Sequence, residues 1–318
     1  MKTRPFGKLD FQVSEISFGG AAVSGEGGGY GFGNISEADA LTLIRSCFDR
    51  GINLFDTAPC YGFGESERRI GKAFKGMRDK VFIVSKCGVD WDDKHELQNS
   101  NDPKVARKML ERSLKDLGSE YIDLYFIHWP DEDVDVRRTM EVLAKAKDEG
   151  KIRAIGLSNH YDVAEIRKAM SIAPVDVLQS EFNLFKDEAK LKLFALCKSE
   201  KLGYMSWGTF DKGILTGRVT RKRTFDDKDF RGRFKAFTSE AKMKAVDRIT
   251  PLLKKADLDG RQLALGYVLR HGAVSTALCG VRSPEQLDTA LAAHANLAPE
   301  EIISQAVDIA HEELQAAA

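Results

Sequence analysis

Asp56 and Tyr61 stand five residues apart in the stretch NLFDTAPCYGFGESERRIG, which begins as an apolar run and ends as a polar helix. Two more ionisable residues end later apolar runs: Lys86 closes VFIVSK and His128 closes IDLYFIH. A phenol titrates near ~10 in water, so tyrosine handles protons poorly at neutral pH until its surroundings change. A nearby ammonium favours the phenolate and lowers that value, while a carboxylate paired with the lysine keeps the lysine charged and in place. A histidine beside them can hydrogen-bond the oxygen of a ligand. Such a set places a tuned proton next to a polarised carbonyl, which suits carbonyl reduction. Each residue alone also has an ordinary reading: Asp56 as a turn residue, Tyr61 as packing, Lys86 as a surface lysine, His128 as a satisfied core histidine. Their joint placement carries the chemistry, and that placement depends on the elements that hold them.

Those elements repeat. A short apolar run is followed by an amphipathic stretch, eight times over. The strands expected are Glu15–Gly19, Asn53–Thr57, Val81–Lys86, Ile122–His128, Ala154–Ser158, Val177–Glu181, Gly203–Trp207 and Thr276–Gly280. Near-continuous apolar runs suit parallel strands buried on both faces. Ser36 caps one expected helix, which ends at Gly51. DPKVARKMLERSLKDLG places Val105, Met109, Leu110, Leu114 and Leu117 near helical period. Further helices are expected over Arg137–Glu149, Val163–Met170, Ala189–Glu200 and Pro284–Ala293. Eight strand–helix units predict a (β/α)8 TIM barrel, with an N-terminal β-hairpin in RPFGKLDFQVS and an extra C-terminal helix in APEEIISQAVDIAHEELQ. No linker divides the chain, so residues 1–318 are expected to form a single domain. In a barrel the active site collects at the C-terminal ends of the strands. That is where Asp56, Lys86 and His128 would stand, with Tyr61 in the loop just beyond. One polar insertion, Gly217–Thr238, is too charged for core and too long for an ordinary connection. It reads either as a solvated loop or as a segment covering a cofactor.

Composition narrows the classes further. The chain has 318 residues, 43% hydrophobic and 30% charged, enough for a large core and against disorder. Lys+Arg and Asp+Glu both number 48, so net charge gives no reason to expect nucleic acid or a membrane surface as partner. Five cysteines without CxxC spacing suggest reduced thiols. The N-terminus lacks an apolar signal core, and a cytoplasmic location is expected. The histidines show no metal-ligand spacing, so no metal is expected. No GxSxG elbow and no GxGxxG after a strand occur, which speaks against a serine hydrolase and a Rossmann site.

GINLFDTAPCYGFGESERRIGKAF resembles the signature of the aldo-keto reductases. YIDLYFIHWPD, EGKIRAIGLSN and LQSEFNLF resemble that family's fourth, fifth and sixth strand motifs. GILTG and GVRSPEQL resemble its cofactor-binding segments. The likeness runs in order along almost the whole chain. Its insertion looks most like bacterial soluble members of the inositol-operon and general-stress reductase type. The resemblance implies a catalytic tetrad of Asp56, Tyr61, Lys86 and His128, with Tyr61 as proton donor. It also implies a nicotinamide cofactor across the barrel mouth. Ser158, Asn159 and Gln179 match the positions that hold the carboxamide, and Trp207 matches the aromatic that stacks on the ring. Gly208, Thr209, Phe210, Lys212, Gly213 and Leu215 would follow the pyrophosphate. Gly280, Arg282, Ser283 and Gln286 would form the adenosine end. Arg282 at a helix start suits a 2′-phosphate, which favours NADP(H). Thr289 and Ala290 replace an acid and an amide that many members use for adenine, which keeps NAD(H) as an alternative. Trp129, Trp91, Tyr30, Phe63 and Trp207 are expected around a substrate mouth. The activity implied is reduction of an aldehyde, ketone or sugar carbonyl. Its alternatives are a sugar dehydrogenase working oxidatively and a cofactor-binding regulatory subunit with slow turnover. The sequence leaves substrate and oligomeric state undefined.

Overall fold

The apolar runs close into a barrel. The computed structural model describes residues 1–25, 28–225, 229–233 and 239–317. An antiparallel hairpin, β1 (Thr3–Phe6) and β2 (Leu9–Ser14), precedes eight parallel strands. These are β3 (Ile16–Gly19), β4 (Leu54–Asp56), β5 (Phe82–Cys87), β8 (Ile122–Ile127), β9 (Ile152–Ser158), β10 (Val177–Glu181), β11 (Gly203–Trp207) and β12 (Thr276–Cys279). Each pairs with the next in sequence, and β12 closes the barrel on β3. All eight expected strands are present, with ends shifted by at most two residues.

Register fixes the height of the polar residues. Asp56 pairs with Val84, so Lys86 stands two positions further up β5 on the same inward face. Lys86 pairs with Phe126, so the next inward position above Phe126 is His128. Ser158 pairs with Gln179, and Gln179 with Met205, two positions below Trp207. The lower inward positions are apolar: Leu54, Val84, Leu124, Phe126, Val177, Met205 and Leu278 form one inner cluster with Phe6 of the hairpin. The barrel is therefore filled from below, and its polar layer sits on top. Gly156 makes that filling possible, because a Cβ there would lie 2.2 Å from the Phe126 ring.

Outside the strands lie α1 (Glu37–Asp49), α2 (Glu65–Ala73), α3 (Pro103–Leu117), α4 (Val136–Asp148), α5 (Val163–Met170), α6 (Glu188–Lys192), α7 (Phe194–Glu200), α9 (Glu240–Lys255), α10 (Gly260–Leu269), α11 (Pro284–Ala295) and α12 (Glu300–Gln315), with the single turn α8 (Phe230–Arg233) in the insertion. Ser36 caps α1 as expected, accepting from the Asp39 N–H. The helix expected over Ala189–Glu200 is broken at Leu193 into α6 and α7. Two features escaped the sequence reading: α9 and α10 between the last two strands, and a small antiparallel hairpin, β6 (Val89–Trp91) with β7 (Leu97–Asn99), after β5. Three-residue strands are too short to show a period of two. Of the insertion Gly217–Thr238, residues 226–228 and 234–238 lie outside the described residues.

Candidate active site

Lys86 and Asp56 form the floor of the site. The Lys86 ammonium donates to Asp56 Oδ1 at 2.8 Å, to Oδ2 at 2.9 Å and to the Thr57 carbonyl at 2.8 Å. All three of its hydrogens are thus committed. Both side chains are buried, so loss of either partner would leave an uncompensated charge inside the barrel. Gln179 Nε2 donates to Asp56 Oδ2 at 2.9 Å and fixes the carboxylate from the far side of the mouth.

Tyr61 lies above this pair, with its ring centre 5.3 Å from Lys86 Nζ and 6.0 Å from the His128 ring. The sequence suggested that the ammonium lowers the phenol's pKa. The structure reverses the direction: burial pushes Tyr61 well above its ordinary value, with the Asp56 charge adding to it. The lysine's charge is already balanced by Asp56 at closer range. Tyr61 is therefore a phenol, with its proton in place, throughout the neutral range. His128 shifts oppositely. Burial, followed by the Lys86 ammonium, holds it well below the usual histidine value, so its ring is neutral. Its Nδ1 lies 3.8 Å from Cys60 Sγ.

The loop carrying Tyr61 is clamped from outside. Tyr30 N–H donates to the Cys60 carbonyl at 3.3 Å, and Gly29 bridges Tyr61. A side chain at Gly29 would lie 1.8 Å from that carbonyl, and its φ is +55°, so glycine is required there. The clamp brings the Tyr30 ring edge-on to His128 at 6.3 Å.

A second polar group continues from the tetrad. Asn159, left-handed at φ +61°, donates through Nδ2 to the His128 carbonyl and to Ser158 Oγ, both at 3.0 Å. Its Oδ1 accepts from Trp207 Nε1 at 3.0 Å, and Ser158 Oγ donates to Gln179 Oε1 at 3.3 Å. The two amides spend their hydrogens on the protein and keep acceptor capacity on Oδ1 and Oε1. Those remaining acceptors suit the two N–H groups of a ligand carboxamide.

These residues line a cleft of about 990 Å³ that runs from Tyr30, Tyr61, His128 and Trp129 past Trp207 to Arg282, Gln286, Thr289 and Ala290. Gly208, Thr209, Phe210, Lys212, Gly213 and Gly280 line it as expected. Four expected residues do not. Leu215 packs into the core between barrel and helices. Ser283 lines a neighbouring cavity of about 950 Å³ and caps α11, accepting from the Gln286 N–H at 3.3 Å. Trp91, on the small hairpin, packs against Phe63 at 5.2 Å and under the Arg112 guanidinium at 4.2 Å. Phe63 shares that outer contact. Leu215, Trp91 and Phe63 are near the mouth in sequence, but their elements carry the side chains elsewhere, whereas Ser283 stays at the rim in a cavity it shares with Arg282 and Gln286.

The cleft is more cationic than its motifs suggested. Arg218, Arg223, Arg231, Lys242 and Arg261 also line it, none of them singled out from sequence. The RKR cluster at residues 221–223 was the available signal for Arg223, and Arg218 directly follows GILTG. Arg231 pairs with Asp229 at 2.6 Å and sits 5.1 Å above the Phe32 ring, while Phe230 packs on Tyr30 at 5.1 Å. Within the described part of the insertion, Val219, Phe230 and Arg231 thus pack on the cleft, while residues 220–224 are exposed. Lys212 pairs with Glu181 at 2.9 Å. Arg282 donates to the Asn34 carbonyl, its Nε is buried without a partner among the described residues, and burial with the Arg231 charge lowers its pKa. Asp229 offsets part of the charge of both guanidiniums, and the positive excess at this end, with Arg218 and Arg223 also on the lining, suits an anionic ligand. The cleft's volume, its cationic far end and its amide-lined near end fit a nicotinamide dinucleotide.

Residues 15–310 match the model of the aldo/keto reductase family. The chain belongs to the aldo/keto reductase family. It is thus an oxidoreductase of carbonyl compounds that uses a nicotinamide cofactor. It is 35% identical to aldo-keto reductase YhdN of Bacillus subtilis over 87% of this chain and 84% of that protein. It is 31% identical to the NADH-specific methylglyoxal reductase of Escherichia coli over 92% of this chain and 93% of that protein. Among solved structures, glycerol dehydrogenase of Gluconobacter oxydans superposes with a TM-score of 0.84 at 29% identity, covering 98% of this chain and 95% of that one. The bacterial type expected from the insertion agrees with these relatives. Among the described residues no helix is long and apolar enough to cross a membrane.

Proposed function

We propose that this aldo/keto reductase reduces small aldehydes, with NADPH as the preferred cofactor and Tyr61 as proton donor. One observation carries the reading: a protonated phenol and a neutral imidazole share the mouth of a cationic cleft, above a buried Lys86–Asp56 pair. The reduced nicotinamide, when bound, supplies the hydride. His128 donates a hydrogen bond to the carbonyl oxygen and fixes its position. As negative charge develops on that oxygen, Tyr61 gives up its proton, so an alcohol forms and a phenolate remains. Solvent then returns the proton to the phenolate, whose ring stands over the fixed Lys86–Asp56 pair, 5.3 Å from the ammonium at its centre. Asp56, anchored by Gln179, keeps the ammonium in place. Ser158, Asn159 and Gln179 would hold the carboxamide, with Trp207 beside the ring. Arg282 and Arg231 would take the 2′-phosphate.

Tyr30, Trp129 and Trp207 give the substrate end aromatic walls, which accept aryl aldehydes and sugar faces alike. A second reading is oxidation of a polyol or sugar in the same site, supported by the likeness to a glycerol dehydrogenase. The same residues serve both directions, with Tyr61 then acting as base. The relative named NADH-specific supports some use of NADH. The test is a panel of aldehydes, sugars and polyols with NADPH, NADH, NADP and NAD, run in both directions. Turnover of an aldehyde with NADPH above all other pairs is expected. Fast oxidation of polyols with negligible aldehyde reduction would favour the second reading.

A further inference from the structure

His128 can offer a hydrogen to a carbonyl oxygen in only one of its two neutral forms, and the choice is set by what its other nitrogen meets. Cys60 Sγ, 3.8 Å from Nδ1, is the only hydrogen-bond partner of the ring among the described residues. Nε2 is absent from the buried atoms lacking partners, although nothing bonds it, so it opens on the cleft that His128 lines. Cys60 is 0% exposed, and its neighbours are Ala58 and Val89 with Tyr30, Tyr61, Leu97 and Trp129 packed against them. Burial pushes its thiol far above the usual range, so sulfur keeps its hydrogen. The sulfur is also held in place. Its residue's carbonyl accepts from Tyr30 N–H, Gly29 leaves no room for that carbonyl to shift, and Tyr61 N–H donates to Ala58 O at 3.0 Å.

We propose that Cys60 is a positioning residue that sets the tautomer of His128. Its S–H donates to Nδ1, which places the ring proton on Nε2, toward the cleft. The reverse arrangement, with Nδ1–H directed at sulfur, would present a bare Nε2 lone pair to the carbonyl oxygen and repel it. A thiol is a weak donor, but Nδ1 has no other among the described residues, and a buried acceptor left unmade costs more than a weak bond. The preference for this arrangement over its reverse, and its catalytic consequence, rest on the reading that His128 orients the carbonyl; the Cys60–His128 contact itself does not.

The experiment is 15N-edited NMR of the uniformly labelled enzyme, reading the ring nitrogens through two-bond proton correlations. His128→Asn assigns the signal. Nε2–H is expected for His128 in the wild type. In Cys60→Ala a second population carrying Nδ1–H should appear, kcat for aldehyde reduction should fall by about tenfold, and dinucleotide Kd should stay within about twofold. Cys60→Ser keeps a donor and should restore the Nε2–H form, with kcat within about threefold of wild type. Nδ1–H in the wild type would overturn the proposal, as would Cys60→Ala leaving both spectrum and kcat unchanged. Should Cys60→Ala fail to fold, the wild-type and Cys60→Ser spectra still decide. An Nε2–H signal in a protein that reduces no carbonyl would sink the reductase reading while leaving the Cys60 assignment standing.

Discussion

Tyr61 and His128 show how one buried layer shifts two groups in opposite directions. Burial disfavours charge on either, so the phenol keeps its proton and the imidazole gains none. Aldehyde reduction should therefore have a kcat nearly flat between roughly pH 6 and pH 9, since neither group changes state there. A limb of the profile near pH 7 would mean that another group supplies the proton. Tyr61→Phe removes only the hydroxyl, and kcat should fall by about two decades or more while dinucleotide affinity, measured by tryptophan quenching, stays near wild type. Near wild-type reduction by this variant would refute Tyr61 as donor. At the other end of the cleft, Arg282→Ala should weaken NADPH by roughly ten- to a hundredfold and barely touch NADH, because a charged hydrogen bond to phosphate is worth roughly 1.5–3 kcal/mol. Equal losses for the two would move 2′-phosphate recognition to Arg231 or Arg218.

At the scale of elements, α2 carries an unusual burden. Its Glu67 is 0% exposed, accepts from Ser85 Oγ at 2.6 Å and leaves Oε2 without a partner among the described residues. Burial raises its pKa to about 7, against the pull of the Ser85 and Ser113 hydroxyls. In the folded chain it keeps its proton to about pH 7, whereas the unfolded chain loses it near 4.5. The stability it contributes is full below 4.5 and is lost as pH rises through about 7. Glu67→Gln, which cannot ionise, should match the parent's melting temperature near pH 5 and exceed it at pH 8. A constant difference across that range would show that Glu67 is ionised alike in the folded and unfolded chains, with no raised pKa. The position matters because Ser85 immediately precedes Lys86 on β5, so α2 is docked through the strand that carries the site.

For the whole molecule, one closed barrel with an inner and an outer apolar layer ties early and late strands together. Strand β12 pairs with β3, and the hairpin's Arg4 reaches across to the Leu269 and Val274 carbonyls at 2.8 and 2.9 Å. We propose that the chain is a single folding domain on this account. Urea unfolding followed by tryptophan fluorescence and by far-UV dichroism should give coincident single transitions. Two separated transitions, or an isolated N-terminal half that folds alone, would contradict it.

Strand positions, and the meeting of Asp56, Tyr61, Lys86 and His128 at one end of the barrel, were legible in the sequence because each depends on local order. A buried parallel strand must be apolar, and a residue that ends it must stand at the barrel mouth. The directions of side chains in loops were not legible. Trp91 turns outward because a three-residue hairpin carries it, Leu215 turns inward after a left-handed turn at Lys212 and Gly213, and Arg231 enters the cleft because its segment pairs with the loop at Phe32. The sign of the Tyr61 shift was likewise out of reach. Sequence places an ammonium near the phenol, but only the folded structure sets burial and the nearness of Asp56 against it, and at these distances burial wins.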